Sequence, residues 1–160
     1  MKIRTSAVIP LILANTAFAV EFNLDRQLPP ELASSIAAYY QAEDDGDWVK
    51  TYGLRTPDYR AVVPFDDYVE EMSTKLSGNE IISVSARLLD HKGDSYILKT
   101  EFVETHRGVP HGDPTALPIS RGGVTDEITE WVFRDERWYC VSCGIRRRLP
   151  LNGRMAEPSH

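Results

Sequence analysis

The chain has 160 residues, with 18 Lys and Arg against 24 Asp and Glu and a formal net charge of −6. That length supports one hydrophobic core of ordinary size and excludes a pair of typical domains. The acidic balance excludes a nucleic-acid binder, which needs a basic footprint to neutralise phosphates.

Residues Met1–Ala19 carry Lys2 and Arg4, no acid, an apolar stretch from Ala7 to Ala14, and a small-residue end at Ala17-Phe18-Ala19. This is the pattern of a secretory signal peptide cleaved after Ala19. A membrane anchor fits worse. It needs about 18 consecutive apolar residues, and Pro10, Asn15 and Thr16 interrupt the run. Cleavage leaves 141 residues and, with Lys2 and Arg4 gone, a net charge of −8. The expected product is exported, periplasmic or secreted, with no membrane span. One α+β domain is expected over 20–145, followed by a poorly ordered tail over 146–160.

Pro29-Pro30-Glu31 marks the start of a first helix, because proline suits the first turn and an acid favours the positive dipole end. Its apolar stripe is Leu32, Ile36 and Tyr39 with Ala33, Ala37 and Tyr40, and Gly46 stops it. Asp47 caps a short second helix holding Trp48, Thr51 and Tyr52. Thr56-Pro57-Asp58 is another start signal. From Pro64 a third clear helix follows, with Phe65, Tyr68, Val69 and Met72 at helical spacing.

From Ile81 the period changes to two. Ile82, Val84, Ala86 and Leu88 share one face of a strand, and Tyr96, Leu98, Thr100 and Phe102 one face of the next. A three-residue His91-Lys92-Gly93 loop, pairing Leu88 with Tyr96 and Ala86 with Leu98, keeps these sets together. Thr105–Gly123 reads as a long linker. A second hairpin over Val124–Arg134 and Arg137–Gly144 turns at Asp135-Glu136, and its aromatics Trp131, Phe133, Trp138 and Tyr139 suggest the middle of a sheet.

Helices first and hairpins afterwards describe helices on one face of an antiparallel sheet, an α+β architecture. The runs AAYYQAEDDGDWVKTYGLRTPDYRAVVPFDDYVEEM and VTDEITEWVFRDERWYCVSC resemble the nuclear transport factor 2-like superfamily, and in particular its uncharacterised exported bacterial members. The resemblance rests on Gly46-Asp47-Trp48, on Thr56-Pro57-Asp58-Tyr59-Arg60 and on the aromatic last hairpin. It implies a cone of curved sheet and three N-terminal helices around a pocket. It implies no particular activity, since the superfamily holds both enzymes and non-catalytic association domains.

Tyr39 stands about where ketosteroid isomerases of that superfamily place an oxyanion-binding tyrosine. The aspartate those enzymes carry after the second helix is missing: the chain there reads Arg60-Ala61-Val62-Val63-Pro64. No catalytic residue is therefore assigned. The candidate pocket consists of Tyr39, Tyr68, Tyr96, Phe102, Glu130 and Trp131. Glu130 lies on one strand face with Ile128 and Val132, and Thr129, Trp131 and Phe133 lie on the other. Only one set can look inward. If it is the first, burial raises the pKa of Glu130 and makes it an acid or base.

Cys140 and Cys143 are the two cysteines. Extended residues three apart are about 10 Å apart at Cα, beyond the ~7 Å reach of a bridge. Either the strand continues and the thiols stay free, or the chain bends at Val141-Ser142 and a disulfide closes. An oxidising compartment favours closure. His106, His111 and Asp113 lack the spacing of a metal site, and Arg146-Arg147-Arg148 is too short for nucleic acid, so no metal and no cofactor are expected. The reading that follows is an exported non-enzymatic domain that binds a small apolar ligand or self-associates through its sheet as a homodimer. The rivals are a lyase, isomerase or hydrolase using Glu130 and Tyr39, and a cell-envelope interaction module presenting Thr105–Gly123.

Overall fold

The structure, a computed structural model, describes residues 19–76, 78–108, 119–144 and 147–148. In chain order its elements are β1 (Glu21–Leu24), α1 (Pro30–Asp44), α2 (Trp48–Gly53), α3 (Pro57–Val62), α4 (Phe65–Leu76), β2 (Asn79–Lys92), β3 (Ser95–Gly108), β4 (Ile119–Arg134), β5 (Arg137–Cys140) and β6 (Arg147–Arg148). The expected signal segment lies outside the described residues apart from Ala19. Of the expected tail, Arg147 and Arg148 pair with Asp126 and Thr125 of β4, and the rest lies outside the described residues.

Local chemistry sets the helices. Pro30 opens α1 and Leu32, Ile36, Tyr39 and Tyr40 are its buried face. Gly46, at φ +68°, takes the left-handed conformation that ends the run. The Asp47 carboxylate accepts from Lys50 N at 3.1 Å to cap α2, and Thr56 Oγ1 accepts from Tyr59 N at 3.2 Å to cap α3. Thr56-Pro57-Asp58 thus starts a helix of its own, and four helices stand where three were expected. α4 buries only Tyr68 and Met72. The last turn of α1 carries no basic residue, and beside it Val20 N donates to Gln41 Oε1 at 3.2 Å.

The sheet is curled, a half-barrel, in the order β1-β2-β3-β4-β5 with β6 also on β4. It is mixed rather than purely antiparallel. β1, unread in the sequence, pairs parallel to β2 with Phe22 beside Val84. Two bulges reset the β2–β3 register. One inserts Ile82, so Ile81 is buried and Ile82 stands 47% exposed. The other inserts Leu89, so Leu88 meets Leu98 and Ala86 meets Thr100. The connection is therefore the two-residue Gly93-Asp94 turn with Gly93 at φ +59°, not the expected three-residue loop. An extra residue in one strand keeps both apolar sets inward where an unbroken two-residue hairpin would have mixed them.

Nearly half of the expected linker is strand. β3 runs to Gly108 and β4 starts at Ile119, which leaves only 109–118, outside the described residues, to connect them. The Asp135-Glu136 turn forms as expected, both residues at positive φ (49° and 62°). β5 lies at an edge, not mid-sheet. That edge is closed by Cys140 N donating to Leu54 O at 2.8 Å and by a parallel bridge between Arg55 and Cys140. Among the described residues no helix is long and apolar enough to cross a membrane. The core lies between α1 and the inner face of the sheet, where Val84, Ala86, Leu98, Phe102 and Trp131 are buried with Leu32, Ile36, Tyr39 and Tyr40.

Candidate functional site

Four of the expected pocket residues, Tyr39, Tyr68, Phe102 and Trp131, are fully buried and pack as core. The Tyr39 ring stands edge-on to Trp131 at 5.9 Å and to Tyr40 at 5.1 Å, and Tyr40 is edge-on to Phe102 at 5.0 Å. Such edge-to-face contacts are the favoured aromatic geometry. Tyr68 reaches in from α4, against Tyr52 at 5.2 Å and Tyr59 at 6.3 Å. Tyr96 is across the sheet from Trp131, but it is only partly buried and its ring meets His91 at 4.2 Å and Trp138 at 5.3 Å. It belongs to the hairpin end rather than to the Tyr39 cluster.

Glu130 faces away from that cluster. β4 turns Thr125, Glu127, Thr129 and Trp131 inward, so strict alternation sends Glu130 to the outer side, where Ser95 Oγ donates to it at 2.7 Å. The inward acid is Glu127. Its Oε1 accepts from Tyr40 Oη at 2.6 Å and its Oε2 from Gly144 N at 2.9 Å. Sequence reasoning missed it, although it shares parity with Trp131, the most reliably buried side chain of the strand.

Several donors in the interior have no acceptor among the described residues. Tyr39 Oη, Tyr68 Oη, Trp131 Nε1 and Arg55 Nε are buried without a hydrogen-bond partner. The hydroxyls of Tyr39 and Tyr68 influence one another, and Thr51 adjoins Tyr68, without closing a bond of good geometry. Burial, then the neighbouring Tyr68, holds Tyr39 well above the ordinary tyrosine range, with the Arg55 charge pulling the other way. Burial likewise raises Tyr68, opposed by the neighbouring Thr51 and Tyr39 hydroxyls and by the Arg55 charge.

Arg55 comes from the α2–α3 junction and is 5% exposed. Its Nη1 donates to Cys143 O at 2.8 Å and its Nη2 to Val141 O at 3.2 Å, while the guanidinium lies 4.1 Å over the Tyr59 ring. The carbonyls it holds belong to the bend after β5. There Cys140 and Cys143, Cα atoms 6.1 Å apart, are joined as a disulfide. The strand ends at Cys140 and the chain bends at Val141-Ser142, so the separation falls within bridging range.

The outer face of the sheet is mixed. Lys99 pairs with Glu101 at 2.9 Å and Asp126 at 3.5 Å, and the hydrogen bond to Glu101 raises its pKa. Around this triad Ile82, Val103 and Ile128 are each more than 40% exposed. Elsewhere a groove of about 230 Å³ at the C-terminal end of α1 is lined by Glu43, Asp44, Asp45 and Trp48 with α4 and β2 residues. Partial burial raises Asp44 there, against the bond it accepts from Ile81 N at 2.7 Å. Among the described residues no group of three or more His, Cys, Asp or Glu could hold a metal ion. His106 falls in β3, and His111 and Asp113 lie outside the described residues.

A presumed dehydratase of the nuclear transport factor 2-like family from Streptomyces avermitilis superposes with a TM-score of 0.53. It is 12% identical, over 69% of this chain and 89% of that one. The fold is nuclear transport factor 2-like. A SEC-C motif protein from Rhodopseudomonas palustris superposes at 0.49, with 11% identity over 74% of this chain and 78% of that one. A presumed calcium/calmodulin-dependent protein kinase II association domain from Xanthomonas campestris superposes at 0.46, with 17% identity over 69% and 81%. No family model and no curated protein matches the sequence. The likeness to the first of these shows the fold alone and leaves the chemistry to the side chains.

Proposed function

We propose that this chain is an exported, non-enzymatic domain that holds a small, largely apolar ligand inside the cone, between the sheet and the helices α1 and α4. The observation that carries the reading is the group of buried donors without acceptors: Tyr39 Oη, Tyr68 Oη, Trp131 Nε1 and Arg55 Nε. Each unsatisfied buried donor costs about 1–3 kcal/mol, so a cluster of four invites a molecule that brings acceptors. The aromatic and aliphatic side chains around them favour an apolar body. As folded, the rings close over one another, and access goes through α4, which is anchored by only two buried side chains, Tyr68 and Met72. The signal pattern over Met1–Ala19 and the disulfide both support an oxidising destination.

An enzyme built on Glu130 and Tyr39 is not part of this proposal, because the two occupy opposite faces of the sheet. The exposed Ile82, Val103 and Ile128 favour a second reading, self-association through the outer face. Native mass spectrometry of the protein purified from its own compartment tests the first reading. The expected result is a small molecule retained on gentle ionisation and lost on denaturation. A mass equal to the bare chain, unchanged after incubation with a panel of apolar compounds, would sink it.

A further inference from the structure

We infer that the interior ligand is an organic carboxylate, its head group received by the Arg55 guanidinium and the hydroxyls of Tyr39 and Tyr68. This rests on the ligand reading above and narrows it to a chemical class.

The argument starts from charge. Arg55 is 5% exposed and no carboxylate pairs with it among the described residues. An arginine does not escape burial by losing its proton, so its charge is kept. Its two backbone acceptors, Cys143 O and Val141 O, are dipoles rather than charges, and Nε is without a partner among the described residues. A buried charge calls for an opposite charge, not only for hydrogen bonds.

Glu127, the acid of the inner face, is engaged by Tyr40 and Gly144. The Tyr59 ring links these groups: Arg55 lies 4.1 Å over it and Tyr68 stands edge-on to it at 6.3 Å, and the Arg55 charge acts on the hydroxyls of both Tyr68 and Tyr39. A neutral carbonyl would satisfy the hydroxyls and leave the cation bare. A phosphate dianion would bring more charge than one guanidinium offsets. A carboxylate matches on both counts: one negative charge and two oxygens, with geometry that suits a guanidinium and two hydroxyl donors. Phe102, Leu98 and Ile36, all fully buried nearby in the same core, suit an aryl or alkyl body.

The test is isothermal titration calorimetry on the oxidised protein, expressed with its own leader, using two matched pairs: decanoate against decanamide and 2-naphthoate against 2-naphthamide. At least one carboxylate is expected to bind tenfold or more tighter than its amide, a preference that survives 0.5 M salt because a buried pair is poorly screened. Tyr39→Phe/Tyr68→Phe should weaken carboxylate binding tenfold or more, since both hydroxyl donors to the head group are lost. Arg55→Gln should abolish the preference. Because Arg55 also holds the disulfide bend, the tyrosine double variant decides if Arg55→Gln does not fold. Equal binding of acid and amide would overturn the carboxylate while leaving the ligand reading standing. So would a carboxylate affinity that the double tyrosine variant retains in full, or a preference that salt erases, since either places the acid on the surface. If neither member of either pair binds, the ligand reading fails and the carboxylate with it.

Discussion

Two neighbouring tyrosines on α1 should respond in opposite ways to the same change. Tyr40 donates to the buried Glu127 at 2.6 Å, so Tyr40→Phe removes a hydrogen bond to a charged group in the core and should cost about 2 kcal/mol in urea unfolding. Tyr39 has a buried hydroxyl with no partner. Tyr39→Phe should leave stability unchanged or raise it by up to about 1 kcal/mol, since an unpaired polar atom is lost from the core. Equal losses in both would overturn the assignment of partners. Alkali probes the same residues. Burial holds Tyr39 and Tyr68 above the ordinary value of 10.0. The un-ionised form is therefore favoured by folding, and that contribution is complete below about pH 10 and lost as pH rises through the raised values. Tyrosinate absorbance should appear in two stages, the exposed rings first and the buried pair together with loss of near-ultraviolet dichroism. The roles of these residues were half legible in the sequence. Helical spacing put Tyr39 on the core stripe, and a tyrosine there is ordinary. Glu127 was hidden because alternation alone gives two faces without saying which is wet. Trp131, too large to leave exposed beside Thr129, is the cue that would have chosen between them.

At the scale of elements, termini were easier to read than registers. Asp47, Thr56 and Gly46 act through bonds and dihedral angles confined to a few neighbouring residues, so each signal is complete in the local sequence. A bulge is not. Ile82 and Leu89 look like ordinary members of an alternating run, and what displaces them is the partner strand. β1 was invisible for a related reason. Four residues carry little pattern, and Phe22 finds its partner Val84 only after four helices have intervened. The disulfide at the end of β5 gives an element-scale prediction. Closing so short a loop is worth about 2 kcal/mol in the chain-entropy account, so a Cys140→Ala/Cys143→Ala variant should unfold at correspondingly lower urea. Thiol titration of the denatured wild-type protein should find no free thiol. Two would show that the bend forms without the bond.

For the whole molecule, the reading of self-association proposed above rests on the outer face of the sheet. Val103 and Ile128 are 41% and 43% exposed and flank the Lys99–Glu101–Asp126 triad. In a two-fold dimer each copy would cover these side chains on the other, and the charges would lie in the same patch. Sedimentation should report a dimer for the parent chain and a monomer for Val103→Asp/Ile128→Glu, with the circular dichroism of both alike. A monomeric parent at micromolar concentration would remove self-association as a role. The architecture itself was legible because helix and strand periods segregate along the chain, and few folds accommodate that order. The purpose proposed for the cone was not, because nothing in the order of residues announces that Arg55, from the junction of two short helices, is buried with no ion pair among the described residues.

The contact between Val20 and Gln41 changes meaning if the leader is removed after Ala19. Val20 would then begin the chain, and the nitrogen that donates to Gln41 Oε1 would be an ammonium rather than an amide. It would sit beside the last turn of α1, where the helix dipole is negative, where Glu43 and Asp44 add to it, and where no lysine or arginine answers. Proteolysis would in this way supply the cation that the helix lacks, worth roughly 0.3–1 kcal/mol for a charge at a helix end. Maturation would complete the fold as well as release it.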